Sequence, residues 1–285
     1  MAAPGTGAPL NLRWTIGDVS PAGFEALRLA LTGARRLFGP DAAYHVVVNT
    51  VSVEEARRRT GPVPDAVQWR AASPTPPDAL RPFLDAGMSE GTAWKFMPVQ
   101  IDPAVREIAF DNDVILWALP PAIREWLARD DARLIAEDVA MGHGRFAALA
   151  GPEPRNSGIR GTPAGFDLAG AIAAVLAEQP ARLDSELDEQ GLQVAALMRD
   201  AAPLVVREAE VSICSPFPPH CPALGRCGAH FVGLNARGFD WDFYGRPAID
   251  VRLDHWRAHR AELYRRVGLA APEEAETQPA AEALC

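Results

Sequence analysis

Apolar runs and helical patterns alternate along the opening of the chain, and few folds accept that order. LRWTIGDVS reads as a strand with its following turn. PAGFEALRLALTGARRLFG places Phe24, Leu27, Leu31 and Leu37 at helical spacing behind Pro21, a residue suited to a first turn. YHVVVNTV is a short β-branched run, hence a buried strand, VEEARRRTG a helix closed by Gly61, and AVQWRAA another strand. Strand, helix, strand, helix, strand is the start of an open α/β sheet. Further on, EIAFDNDVIL reads as a fourth strand, and PPAIREWLARDDARLIAED as a helix that becomes extended. GPEPRNSGIRGTPAGFD, rich in glycine and proline, reads as a loop over a surface or a site. LAGAIAAVLAEQPARLDSELDEQGLQVAALMRD gives two helices, and the final third mixes strands, loops and a closing helix. No repeat and no linker divides the chain, so one domain over 11–268 is expected between disordered ends, 1–10 and 269–285.

Bulk properties exclude some partners. With 28 basic against 37 acidic residues, the net charge of −9 argues against broad attraction to nucleic acid or anionic lipid. No stretch approaches the roughly 18 apolar residues of a membrane span. MAAPGTGAPLNLR lacks the basic start and apolar core of a signal peptide, so a cytoplasmic location is expected. Cys214, Cys221 and Cys227 lie around His220, but with six and five intervening residues they lack the two-residue knuckle of common structural zinc sites. Loop cysteines in a reducing cytosol are the expectation.

The chemistry concentrates in Asp111, Asn112 and Asp113, set between two apolar runs. Two carboxylates so close repel each other and are costly to desolvate unless something positive lies between them. At the carboxyl end of a strand in an open α/β sheet they would face the ligand crevice, on one side if the backbone stays extended. Mg²⁺ or Mn²⁺ suits such oxygen ligands, with substrate phosphates completing the shell. The plain alternative is a turn in which Asp and Asn cap a helix. Lys95 in AWKF can reach the same crevice, and His230 in GAHFVGLNARGF is a candidate third ligand. Asp18, after the first strand, is either a nucleotide contact or a helix cap. LDSELDEQGL has the acidic first turn of an ordinary solvated helix. GFDWDFYG sets Asp240 and Asp242 among aromatics, either a packed turn or a platform for a sugar.

These segments resemble the A-type nucleotide-diphosphosugar glycosyltransferases of the glycogenin and bacterial galactosyltransferase group. EIAFDNDVIL resembles their strand and Asp-x-Asp, RNSGIRG their Asn-(Ala/Ser)-Gly turn, LDEQGL their Asp-Gln helix start, and HFVGLN their His-Phe-x-Gly signature, in the family's chain order over residues 12–260. The resemblance implies a single open mixed sheet flanked by helices, with a nucleotide-binding half at 11–120 and an acceptor half at 121–268. It implies Asp111, Asp113 and His230 as ligands of Mn²⁺ or Mg²⁺. Asp18, Lys95, Asn112, Asn156 and Arg237 become donor contacts, and Asp188, Glu189 and Gln190 catalytic candidates beside the transferred sugar. A nucleoside-diphosphate sugar, with UDP favoured, is the implied donor; the acceptor, whether sugar, small molecule or protein, stays open, and retention is the family expectation. Two departures bear on this: LNARGFDW stands where the family has Lys-Pro-Trp, and Glu189 is inserted into the Asp-Gln pair. Two rivals also remain. One is an inert sugar-nucleotide-binding protein of this fold. The other is a haloacid dehalogenase-type phosphohydrolase using Asp111 as nucleophile, although that motif normally follows a first strand.

Overall fold

The β-branched runs pair in parallel, joined by crossover helices. The computed structural model describes residues 9–73, 75–84 and 93–271. The expected disordered ends lie almost wholly outside these residues, and Leu10 already opens the first strand. Strand β1 (Leu10–Ile16) is followed by α1 (Pro21–Phe38), β2 (Ala42–Val48), α2 (Val53–Thr60), β3 (Val67–Ala71) and β4 (Arg106–Asp111). β1 runs parallel to β2 and β4, and β2 to β3. Local chemistry sets the helix ends. Ser20 caps α1 by accepting from the Gly23 amide, with Pro21 in the first turn, and Ser52 caps α2 by accepting from Glu55.

The chain then leaves this sheet at β5 (Val114–Leu116), passes through α3 (Pro121–Leu127), and returns as β6 (Leu134–Glu137). After the short α4 (Ala147–Ala150) comes β7 (Arg155–Thr162), where the sequence reading expects a loop. That expectation fails. β7 is buried at every position and runs antiparallel to both β4 and β6. Its glycines and polar residues, ordinarily loop signals, serve close approach and buried hydrogen bonds: Asn156 Nδ2 donates to Asp138 Oδ2 at 2.9 Å, and Arg160 reaches Asp111. The β6–β7 register shifts between Ile135 and Ala136, a bulge of the kind found beside active sites.

Helices α5 (Leu168–Glu178) and α6 (Glu186–Met198) precede β8 (Leu204–Val206), which completes a seven-stranded sheet in the order β3-β2-β1-β4-β7-β6-β8. A smaller sheet, β5-β10-β9, joins β9 (Val211–Ile213) and β10 (Gly228–His230) to β5. A hairpin, β11 (Asp242–Phe243) and β12 (Arg246–Pro247), leads into α7 (Ala248–Val267). One apolar core packs α1 and α7 with β1, β2 and the small sheet, through Phe24, Leu27, Trp14, Phe231 and Tyr264. A second packs α5 and α6 around Phe96, Phe146, Ile172 and Leu192. Among the described residues, no helix is long and apolar enough to cross a membrane.

Candidate active site

β4 ends at Asp111, and the backbone turns at Asn112 and Asp113 before entering β5. The extended backbone that would align both aspartates is therefore absent, and the turn leads to a strand where the plain alternative had a helix. Strand pairing brings the carboxylates together instead. β10 pairs antiparallel with β5, setting His230 opposite Val114, and the Phe231 amide donates to the Asp113 carbonyl at 3.0 Å. His230 Nε2 consequently lies 3.3 Å from Asp113 Oδ1 and 3.8 Å from Asp111 Oδ2. One ligand atom from each of the three residues falls within 4.8 Å of the others.

Cations surround this group. Lys95, on a 3₁₀ turn (Ala93–Phe96), puts Nζ 3.0 Å from Asp111 Oδ2 and 3.3 Å from Glu189 Oε2. Arg160, on β7, brings Nη1 to 3.5 Å from Asp111 Oδ1. Burial pushes the Asp111 carboxyl up, but Lys95, Arg160 and His230 outweigh it and hold the group at about 2. Burial would also lower the His230 imidazole, yet Asp113 and Asp111 raise it above its ordinary value. Glu189 goes the other way: its burial outweighs Lys95 and Arg160, so its carboxyl lies above the usual range. Sequence reasoning missed Arg160 and Arg13. Arg13, 2% exposed, pairs with Glu107 at 2.8 Å and donates to the carbonyls of Lys95 and Val99, fixing the turn that carries Lys95. The available signal was an arginine inside each otherwise strand-like or small-residue run.

The other expected site residues divide. Ser185 caps α6, so Asp188 sits in its first turn, where both carboxylate oxygens accept backbone amides, from Arg145 at 2.9 Å and Asp184 at 3.0 Å. Gln190 holds the backbone of Gly142 and Ser157. Of that acidic turn, Glu189 is the residue whose carboxylate joins Lys95. Asn112, expected at the donor, is a buried brace: Nδ2 donates to the Gly23 carbonyl at 3.2 Å and to Asn235 Oδ1 at 2.7 Å. Asn235, unforeseen, also donates to Asn112 Oδ1 at 2.9 Å and Asp113 Oδ2 at 3.4 Å, while its carbonyl accepts from the Ser20 amide. Asn156 Oδ1 accepts from Gly158, whose place against the His230 ring is tight: a Cβ there would lie 2.5 Å from His230 Cε1. Asp18 caps no helix; it pairs with Arg59 at 2.6 Å and with Arg237, beyond the carboxyl end of β1.

A divalent ion fits the chemistry of the triad. Asp113 Oδ1 is buried with only the His230 imidazole beside it, at 3.3 Å, and a cation between the two would take lone pairs that no well-aligned donor fills. Two carboxylates and an imidazole are donors that a divalent metal ion accepts. Gly158 keeps the imidazole clear of β7.

No protein-family model matches the chain, and no curated protein matches it in sequence. Among solved structures, the galactosyltransferase LgtC in complex with donor and acceptor sugar analogs aligns at a TM-score of 0.50 and 11% identity, over 93% of this chain and 98% of that one. An active-site mutant of LgtC aligns at 0.49 and 11% identity, over 90% of this chain and 99% of that one. The apo bifunctional glycosyltransferase WbbM aligns at 0.49 and 14% identity, over 92% of this chain and 52% of that one. The fold is thus the A-type glycosyltransferase fold that the motif resemblance implies. In it Asp111 ends the fourth strand in chain order, which removes the first-strand placement that the dehalogenase-type reading needs.

Proposed function

We propose that this protein transfers a sugar from a nucleoside-diphosphate sugar to an acceptor, with Mn²⁺ or Mg²⁺ held by Asp111, Asp113 and His230. The observation that carries the reading is the convergence of those three side chains at the carboxyl edge of the sheet, beside Lys95, Arg160 and Glu189. Glycosyl transfer passes through an oxocarbenium-like transition state, and the departing nucleoside diphosphate accumulates negative charge. A bound divalent ion supplies Lewis-acid neutralisation of that charge, so no protein general acid is required.

The chain's own residues do the rest. Lys95 is held by two carboxylates and keeps its proton, since Asp111 and Glu189 together outweigh the effect of its burial. It presents a fixed cation to the donor's diphosphate. Arg237, half exposed and paired with Asp18, is a further cation on the nucleotide side of the site and stands in for the family's missing Lys-Pro-Trp. Glu189 is the carboxylate assigned to the developing positive charge at the anomeric carbon. Asp188 and Gln190 hold the surrounding backbone and act as positioning residues. UDP and a retained anomeric configuration are the readings that the resemblance favours. An aromatic edge supports a sugar acceptor: Phe217 lies 4.7 Å from Trp241 and 5.2 Å from Phe243 by ring centroid, and Trp241 and Tyr244 are exposed. Sugars present apolar faces that stack on such rings.

The test is to incubate the protein with a panel of UDP- and GDP-sugars and Mn²⁺, with and without a chelator. Release of nucleoside diphosphate with at least one donor, abolished by chelation, is expected. Binding without release would make the protein an inert sugar-nucleotide binder, and neither binding nor release would end the proposal.

A further inference from the structure

Cys214, directly after β9, was expected to keep company with Cys221, Cys227 and His220. It does pair with Cys221 through an isolated backbone bridge, and its Sγ also meets α7. His255 and His259, one turn apart on one face of that helix, approach Cys214 closely enough that one ligand atom of each lies within 4.8 Å of the others. His220 turns away, its Nδ1 lying 3.1 Å from the Phe217 carbonyl.

We infer that Cys214, His255 and His259 hold a structural Zn²⁺, with the carbonyl oxygen of Pro222 at the fourth corner. His255 Nε2 and His259 Nε2 each lie 2.8 Å from that oxygen. Cys214 Sγ lies 3.7 Å from the same oxygen and 3.9 Å from His255 Nε2. Zinc bonds of about 2.0–2.1 Å to nitrogen and about 2.3 Å to sulfur imply tetrahedral edges of roughly 3.3–3.6 Å. The four measured edges bracket that range, so small rotamer shifts would seat the ion. Without a metal, the two imidazoles fill that oxygen's two lone pairs and the thiol is left with only a 3.7 Å contact to it. With one, each donor has a place. A thiolate with two imidazoles selects zinc over the harder ions suited to the carboxylate triad.

The position gives the ion a task. The Cys214 amide donates to the His230 carbonyl at 2.8 Å. Phe231, the next residue, packs its ring 5.0 Å from Trp256 and 6.1 Å from both His255 and His259. Zinc there would tie α7 and the segment 214–222 to the back of the strand whose last residue is His230. It would be a structural site, closed by four protein donors and free of substrate.

Cobalt substitution tests this on the full chain, because a thiolate ligand gives Co²⁺ an intense charge-transfer absorption that carboxylate and imidazole ligands do not. Protein stripped with a chelator under reducing conditions and titrated with Co²⁺ should develop that band to one equivalent, and Zn²⁺ should erase it. The band should persist in D113N, vanish in C214S, and need at least about 100-fold more Co²⁺ to develop in H259Q, at a partly buried position. Zinc affinity in H259Q should fall by more than the roughly 10–100-fold typical of losing a ligand's hydrogen-bond partner. Absence of a thiolate band at saturating Co²⁺ in the unmutated chain, or unchanged Co²⁺ affinity in H259Q, would overturn the inference. Neither result bears on the proposed glycosyl transfer, which the nucleotide-sugar assay decides.

Discussion

Asp113 and Lys95 are the residues on which the candidate site turns, and each predicts differently. Replacing Asp113 with asparagine exchanges a buried carboxylate beside His230 for a group that cannot neutralise a cation. D113N should bind Mn²⁺ at least about 100-fold more weakly by calorimetry and release nucleoside diphosphate about 10²–10³-fold more slowly, on the scale of losing one preorganised electrostatic contact. Wild-type affinity in a folded D113N would remove Asp113 from the metal site. Lys95 faces two carboxylates. K95M should destabilise the fold by about 3–5 kcal/mol in urea unfolding, because it strands buried charge. K95M/E189Q should recover part of that loss, and strict additivity of the two substitutions would deny the Lys95–Glu189 contact. Asp111, Asp113 and Lys95 were legible in the sequence because charged residues inside apolar runs need a stated partner. Arg13 and Arg160 follow the same rule, but their partners lie on other strands, so their roles were not legible.

At the scale of elements, β7 is the instructive segment. Loop chemistry and strand geometry coincide there, and its glycines are spaces for neighbours. A Cβ on Gly158 would overlap the His230 imidazole. G158A should therefore cost about 1–3 kcal/mol, the usual range for overpacking. It should also weaken Mn²⁺ binding more than G238A, at a position where a Cβ meets nothing and the backbone is not left-handed. Thermal melts and calorimetry on both variants decide it, and equal Mn²⁺ affinity would place His230 outside the metal site. Similarly, the first turn of α6 reads as a capped acidic helix start, which it is: Ser185 caps and Asp188 holds backbone amides. Helical geometry then turns Glu189 inward to Lys95. Local pattern identified the turn, while packing chose which acid reaches the site.

Across the whole molecule, α7 and β2 each anchor the larger core through a tyrosine whose hydroxyl donates within the protein, Tyr264 to Glu25 at 2.6 Å and Tyr44 to the Gly39 carbonyl at 2.5 Å. Burial pushes both phenols up to about 12, with Glu25 adding to the effect at Tyr264. A raised value means that the fold favours the neutral phenol. Its contribution is complete below the ordinary value of 10.0 and is lost as pH rises through about 12. Two of the three tyrosines should thus ionise only near pH 12, together with alkaline unfolding followed by circular dichroism. Their ionisation well below that, with the fold intact, would contradict this packing. The sequence alone determined the α/β alternation, the opening parallel strands with their capped helices, and the acidic pair at a strand end, because periodicity and capping act over a few neighbouring residues. Only the tertiary structure decided that β7 is a central strand, that His230 meets Asp113 through β5 and β10, and that Cys214 meets His255 and His259. Those contacts depend on which strands lie side by side and where a distant helix docks, and no local pattern encodes either.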